Sequence, residues 1–94
     1  MGSFDSLEWD ENKRRSNIEK HYLDSVDAIY VLRGPCLRLP AKTVQGEVRW
    51  MATGMLDDVC VTLIYTMRGS ILRVISMRKA RHGEKQHYDE VFGS

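Results

Sequence analysis

Residues 66–81 read TMRGSILRVISMRKAR, and the interpretation of this stretch decides the fold. Gly69-Ser70 is a two-residue turn candidate between two runs rich in β-branched and aromatic side chains, so the stretch reads as the turn and second strand of a hairpin, followed by the opening of a helix. Arg68, Arg73, Arg78, Lys79 and Arg81 fall inside it, and no Asp or Glu does. Ile71, Val74 and Ile75 are interleaved with these cations. A strand built this way buries one set of side chains and presents fixed positive charge with the rest, which suits a phosphate backbone or an acidic partner.

Working outward, strands are expected over residues 47–56, 59–67 and 71–78, with Asp57-Asp58 as the other tight turn. Two-residue loops place Leu56 opposite Val59 and Arg68 opposite Ile71. One face of the meander then carries Val48, Trp50, Ala52, Gly54, Leu56, Val59, Val61, Leu63, Tyr65, Met67, Leu72 and Val74, a nearly unbroken apolar surface. The other carries Met51, Thr53, Met55, Cys60, Thr62, Ile64, Ile75 and Met77, and its exposed methionines and isoleucines call for a cover. On that second face Arg49 lies opposite Thr66, Thr66 opposite Arg73, and Arg68 next along. A one-residue slip would disperse them. The same register puts Arg78 on the apolar face opposite Val61. Either a bulge turns the strand near Ser76, or Arg78 emerges at the edge of the sheet.

The flanks supply helices. Asp10 is a good N-cap for a first helix ending at Lys20-His21. Its segment NKRRSNIEK has Ile18 as its sole apolar side chain, so this helix is either a solvated charged surface or a functional basic face. Asp24 or Ser25 caps a second helix whose Val26, Ile29 and Tyr30 form a stripe expected to face the core, and Arg33-Gly34-Pro35 stops it. Residues 36–39 read as a short edge strand closed by Pro40. Residues 81–91 form a last helix with Glu84, Tyr88 and Val91 along one side. The expected fold is α+β: two N-terminal helices, a four-stranded antiparallel sheet and a C-terminal helix.

Ninety-four residues are enough for one domain, spanning 1–94, with a modest core. The composition, 43% hydrophobic and 29% charged with net charge +1, is ordinary for a soluble protein. Acids concentrate in residues 5–27 and cations in residues 33–81. Cys36 and Cys60 lack CxxC spacing and read as reduced thiols. No apolar run approaches the roughly 20 residues of a membrane span, and the opening residues do not resemble a secretory signal. The reading places the chain in the cytoplasm.

Gly-rich phosphate loops, a GxSxG elbow and HExxH are absent from the sequence, and apart from His82 and His87 at i, i+5 the histidines lack partners at metal-ligand spacing. What remains is a basic cluster with polar and aromatic groups: Arg49, Arg68, Arg73, Arg78, Lys79, His21 and Tyr88. Such a set can hold an RNA phosphate while the 2′-hydroxyl of the RNA itself attacks. Arginine is a good electrostatic clamp and a poor base. His21 is matched to proton transfer near neutral pH, and reads equally well as a charge at a helix C-terminus.

At residues 8–21, EWDENKRRSNIEKH, the chain resembles the BrnT toxin family, and the resemblance continues through VRWMATGM (48–55) and YTMRGSILRVISMRKA (65–80) to Glu84 and Tyr88. It implies a bacterial type II toxin with a RelE-like ribonuclease fold, and since the sequence offers no metal-ligand set, the expected endoribonuclease is metal-independent and needs no cofactor. It also implies a ribbon-helix-helix antitoxin of the BrnA kind, which contacts operator DNA on the toxin's behalf, in a hetero-oligomer that could include a toxin dimer. The resemblance suggests Arg49, Arg68, Arg78, Lys79 and Tyr88 as acting residues. Adding Arg73 from the register and His21 from its match to proton transfer, the expected catalytic set is Arg49, Arg68, Arg73, Arg78, His21 and Tyr88, with RNA contacts from Lys13, Lys20, Lys79 and Arg81. Three positions depart from the family pattern: Tyr22 for a glycine, Ser25 for an aromatic, and Met77 for a small residue. They bear on packing more than on activity. The alternative is a non-catalytic basic module acting in an operator-binding complex.

Overall fold

Two hairpins organise the molecule. In the computed structural model, which describes residue 4 and residues 6–93, β3 (Arg49–Leu56) pairs with β4 (Val59–Arg68), and β4 with β5 (Ile71–Lys79). Leu56 faces Val59, Arg68 faces Ile71, and Thr66 lies between Arg49 and Arg73, as the turn lengths require. Asp57 and Gly69 open the two turns at φ +55° and +62°. Glycine adopts that conformation freely, and Asp is among the few other residues that tolerate it.

β2 (Cys36–Pro40) adds to β3 as an antiparallel edge strand, as expected. The other edge was not anticipated. β1 (Ser6–Trp9) runs parallel to β5, so the sheet is five-stranded and mixed, in the order β1-β5-β4-β3-β2. This corrects the four-stranded antiparallel expectation. Ser6, Leu7, Glu8 and Trp9 take the edge because Leu7 and Trp9, beside Leu72 and Val74, pack against the core.

Ile75 is the second departure. Tyr65 pairs with Val74 but Ile64 pairs with Ser76, leaving Ile75 as the extra residue of a β-bulge. Beyond it the side chains change faces. Met77 therefore leaves its expected position on the arginine face and lies wholly buried in the core, opposite Leu63, while Arg78 turns to the arginine face opposite Thr62. Of the two placements left open for Arg78, the bulge is the one realised.

α1 (Glu11–His21) is capped as the sequence implies: the Asp10 carboxylate accepts from the backbone N–H of Asn12 and Lys13. It contributes no buried side chain and is tied down instead by Arg14, which donates to both oxygens of Asp24 at 2.8 and 3.1 Å and to Glu11 at 2.8 Å. Tyr22 ends it in the left-handed conformation, φ +57°, so a tyrosine holds the backbone shape that usually goes to glycine. Asp24 then caps a 3-10 turn, Ser25–Asp27, which runs into α2 (Ala28–Arg33). That turn rotates the helix relative to the expected stripe: Ala28, Val31 and Leu32 face the core, whereas Val26 and Tyr30 are exposed. α2 covers the apolar face, with Val31 closing on Gly54, where an added Cβ would lie 3.1 Å from the Val31 side chain. The core comprises Leu23, Ala28, Val31 and Leu32 against Ala52, Val61, Leu63, Tyr65, Leu72, Val74 and Met77. α3 (His82–Phe92) lies across the opposite face of the sheet, towards β2 and β3.

No helix is long and apolar enough to cross a membrane among the described residues.

Candidate functional site

The arginine face has two ends, and the expected site residues divide between them. At one end, the start of β3, the end of β4 and the start of β5 bring Arg49, Arg68 and Arg73 to a recess of about 90 Å³, which Asp10, Lys13 and Glu47 also line. Period-2 alternation and the register carry these side chains to one side. Arg73 Nη1 donates to Glu8 Oε1 at 3.2 Å, and the same oxygen lies 3.9 Å from Arg68 Nη1. Arg68 Nε approaches Glu47 Oε2 at 3.4 Å. Arg49 differs: its buried Nε has no hydrogen-bond partner among the described residues. A buried guanidinium N–H left without an acceptor is costly, so an incoming anion would find a donor already desolvated. Beneath the recess Thr66 is fixed by donation to the Val48 carbonyl at 2.8 Å.

At the other end α3 is fastened to the sheet. Arg78 donates to both oxygens of Glu84 at 2.8 and 2.9 Å, and the Thr62 hydroxyl donates to Glu84 Oε1 at 2.9 Å. Thr62 is in turn 2.9 Å from the Thr53 hydroxyl, and the backbone N–H of Arg81 donates to Glu84 across the helix start. The guanidinium of Arg78, followed by the Arg81 and Thr62 donors, holds the Glu84 carboxyl down at about 2 against the cost of its burial. The carboxylate raises Arg78 in the same exchange. Tyr88, one turn on, packs against Phe92 in a tilted arrangement, with ring centroids 5.0 Å apart and an interplanar angle of 45°.

His21, the last residue of α1, does not join the recess. It follows Lys13 by eight residues, about 12 Å along a helix. Lys20 is exposed beside it, and Lys79 and Arg81 are exposed at the β5–α3 junction. Lys13 alone of the expected RNA contacts lines the recess. Glu8 and Glu47 are the site residues that the sequence reading missed. Glu47 was legible, two positions before Arg49 and so on its side of the chain. Glu8 was not, because its place depends on β1.

The fold that holds this recess has a counterpart among known proteins. Residues 9–84 match the family described as the ribonuclease toxin BrnT of type II toxin–antitoxin systems. The chain belongs to the BrnT family. Among solved structures it is similar to the ribonuclease toxin BrnT of Brucella abortus, with 36% identity and a TM-score of 0.67 over 82% of this chain and 97% of that one. No curated protein sequence matches. All of the recess-lining residues fall within the matched BrnT segment, whereas Glu8 and Tyr88 lie just outside it. As a BrnT-family ribonuclease toxin of a type II system, the chain has an RNA substrate and an antitoxin partner. Among the described residues, no group of three His, Cys, Asp or Glu side chains could hold a metal ion.

Proposed function

We propose that this toxin is a metal-independent endoribonuclease of RelE-like type that clamps the scissile phosphate between Arg49, Arg68 and Arg73. The observation that carries the reading is their convergence from three strands on one recess, with a desolvated, unsatisfied Nε on Arg49. Arginine forks match phosphate oxygens and stabilise the charge that grows on them as the 2′-hydroxyl attacks. The first turn of α1, with Lys13, adds the positive end of a helix to the same recess. Arg78 and Tyr88 act from the α3 end, as support for the fold and as flanking RNA contacts. A ribbon-helix-helix antitoxin of the BrnA kind blocks the site and carries the complex to operator DNA.

The test is expression of the chain without a partner, followed by analysis of total RNA and by cleavage of a defined RNA in EDTA. Cleavage that persists in chelator supports the reading. Cleavage abolished by EDTA and restored by a divalent ion contradicts the metal-independent mechanism. A second reading, a binding module without catalysis, is favoured by the carboxylates that already engage Arg68, Arg73 and Arg78. It predicts intact RNA in both assays.

A further inference from the structure

The recess contains guanidiniums, a lysine and carboxylates, but none of its lining residues is a histidine. A clamp of arginines stabilises charge without accepting the proton that the 2′-hydroxyl must lose. The acceptor is sought among the acids at hand, and among the described residues three are near. Asp10 is committed as the N-cap of α1, taking the N–H groups of Asn12 and Lys13. Glu8 is held at one oxygen by two guanidiniums, Arg73 at 3.2 Å and Arg68 at 3.9 Å, and does not line the recess. Glu47 does line it, and its one ion pair among the described residues, with Arg68 Nε, is long at 3.4 Å.

The backbone under Glu47 is built for placement. Val44 and Glu47 exchange reciprocal backbone hydrogen bonds at 3.0 and 2.9 Å. Gln45 and Gly46 between them both have positive φ, +51° and +78°. That is the geometry of a two-residue type I′ turn, which is short and stiff. It delivers the carboxylate two residues ahead of Arg49, at the mouth of the recess. A flexible loop would not hold a base within hydrogen-bond reach of a substrate hydroxyl.

Building on the phosphate clamp proposed above, we infer that Glu47 is the general base of the cleavage. Its carboxylate takes the proton of the 2′-hydroxyl as the 2′ oxygen bonds to phosphorus. The bond from phosphorus to the 5′ oxygen breaks, and that oxygen leaves with a proton from water. The products are a 2′,3′-cyclic phosphate and a 5′-hydroxyl end, and Glu47 returns its proton to solvent. Glu8 is then a positioning residue that orients Arg73 and Arg68.

The experiment compares wild type, Glu47→Gln, Glu47→Asp and the exposed α3 variant Glu90→Gln in single-turnover cleavage of a defined RNA. Affinity is read in parallel on the same RNA with a 2′-deoxy scissile position. Glu47→Gln keeps the size of the side chain and removes the proton acceptor. The expected result is a rate about 100- to 10,000-fold lower, with RNA affinity unchanged or tighter because a negative charge near the phosphate is gone. Glu47→Asp should retain more of the rate than Gln, and Glu90→Gln should match wild type. If Glu47→Gln cleaves as fast as wild type or faster, Glu47 merely competes with phosphate for Arg68, and the inference is overturned while the clamp stands. If its rate and affinity fall together, or its circular dichroism shows a damaged fold, the role is structural and the inference is likewise overturned. A wild-type protein that leaves the RNA uncut removes the clamp and the base alike.

Discussion

Arg78 and Glu84 form a two-pronged pair, at 2.8 and 2.9 Å, that fastens the C-terminal helix to the last strand. The pair is mostly buried, with side chains 25% and 15% exposed. Its carboxylate also accepts from Thr62 and from the backbone of Arg81. Removing Glu84 strands all three donors at once, and unpaired buried donors cost more than the bonds they lose. Glu84→Ala is expected to lower stability by about 2–4 kcal/mol, and the check is the urea midpoint. A variant as stable as wild type would show that α3 is held by other contacts.

The same pair sets an acid limit. The Glu84 carboxyl is held at about 2 in the fold against an ordinary 4.5. Its stabilisation is complete above that ordinary value and is lost as pH falls from there towards 2. Asp24, lowered chiefly by its hydrogen bond to Arg14, acts in the same direction. Stability measured at pH 6 and pH 3 should fall steeply for wild type and less steeply for Glu84→Gln. Equal slopes would remove Glu84 from the acid response.

Tyr22 offers a gain. Its side chain is exposed and its φ is +57°, a conformation that costs a non-glycine residue about 1–2 kcal/mol. Glycine loses roughly 0.5–1 kcal/mol of that advantage through the freedom of its unfolded chain. Tyr22→Gly is therefore expected to raise stability by about 0.5–1 kcal/mol, measured by thermal or urea unfolding. A loss of stability would mean that the exposed ring makes contacts worth more than the strain.

Much of the sheet was legible because the turns are short. Asp57-Asp58 and Gly69-Ser70 leave one register for three strands, and the arginine recess follows from it. The bulge was not legible. Nothing in the run Val74-Ile75-Ser76-Met77 marks which residue loses its partner, since burying Met77 and turning Arg78 towards Glu84 are gains made in three dimensions. β1 was missed for a related reason: four residues with a polar, an acidic and two apolar side chains become a strand only beside β5. The stripe of α2 was misassigned because a 3-10 turn precedes it and changes the angular phase of the residues that follow. Arg14, on the helix that the sequence leaves as either a solvated charged surface or a basic face, pairs with Asp24 and Glu11.

Arg14→Ala should accordingly separate stability from chemistry. The pair with Asp24 is about 30% exposed on each side, which keeps its contribution modest. The urea midpoint is expected to fall while the rate of RNA cleavage, measured well below that midpoint, stays within about twofold of wild type, a change of under about 0.5 kcal/mol in barrier. A large loss of rate with stability intact would place Arg14 in contact with substrate.

The most direct test of the clamp is single-turnover RNA cleavage by Arg49→Ala, Arg68→Ala and Arg73→Ala, set against Arg15→Ala on the exposed side of α1. Each recess variant removes one donor to the phosphate, worth about 2–4 kcal/mol of transition-state stabilisation by comparison with an oxyanion donor. The predicted result is a rate roughly 30- to 1,000-fold lower for each recess variant, with the fold retained and Arg15→Ala close to wild type. Recess variants that cleave at the wild-type rate, or an Arg15→Ala variant as damaged as they are, would contradict the account.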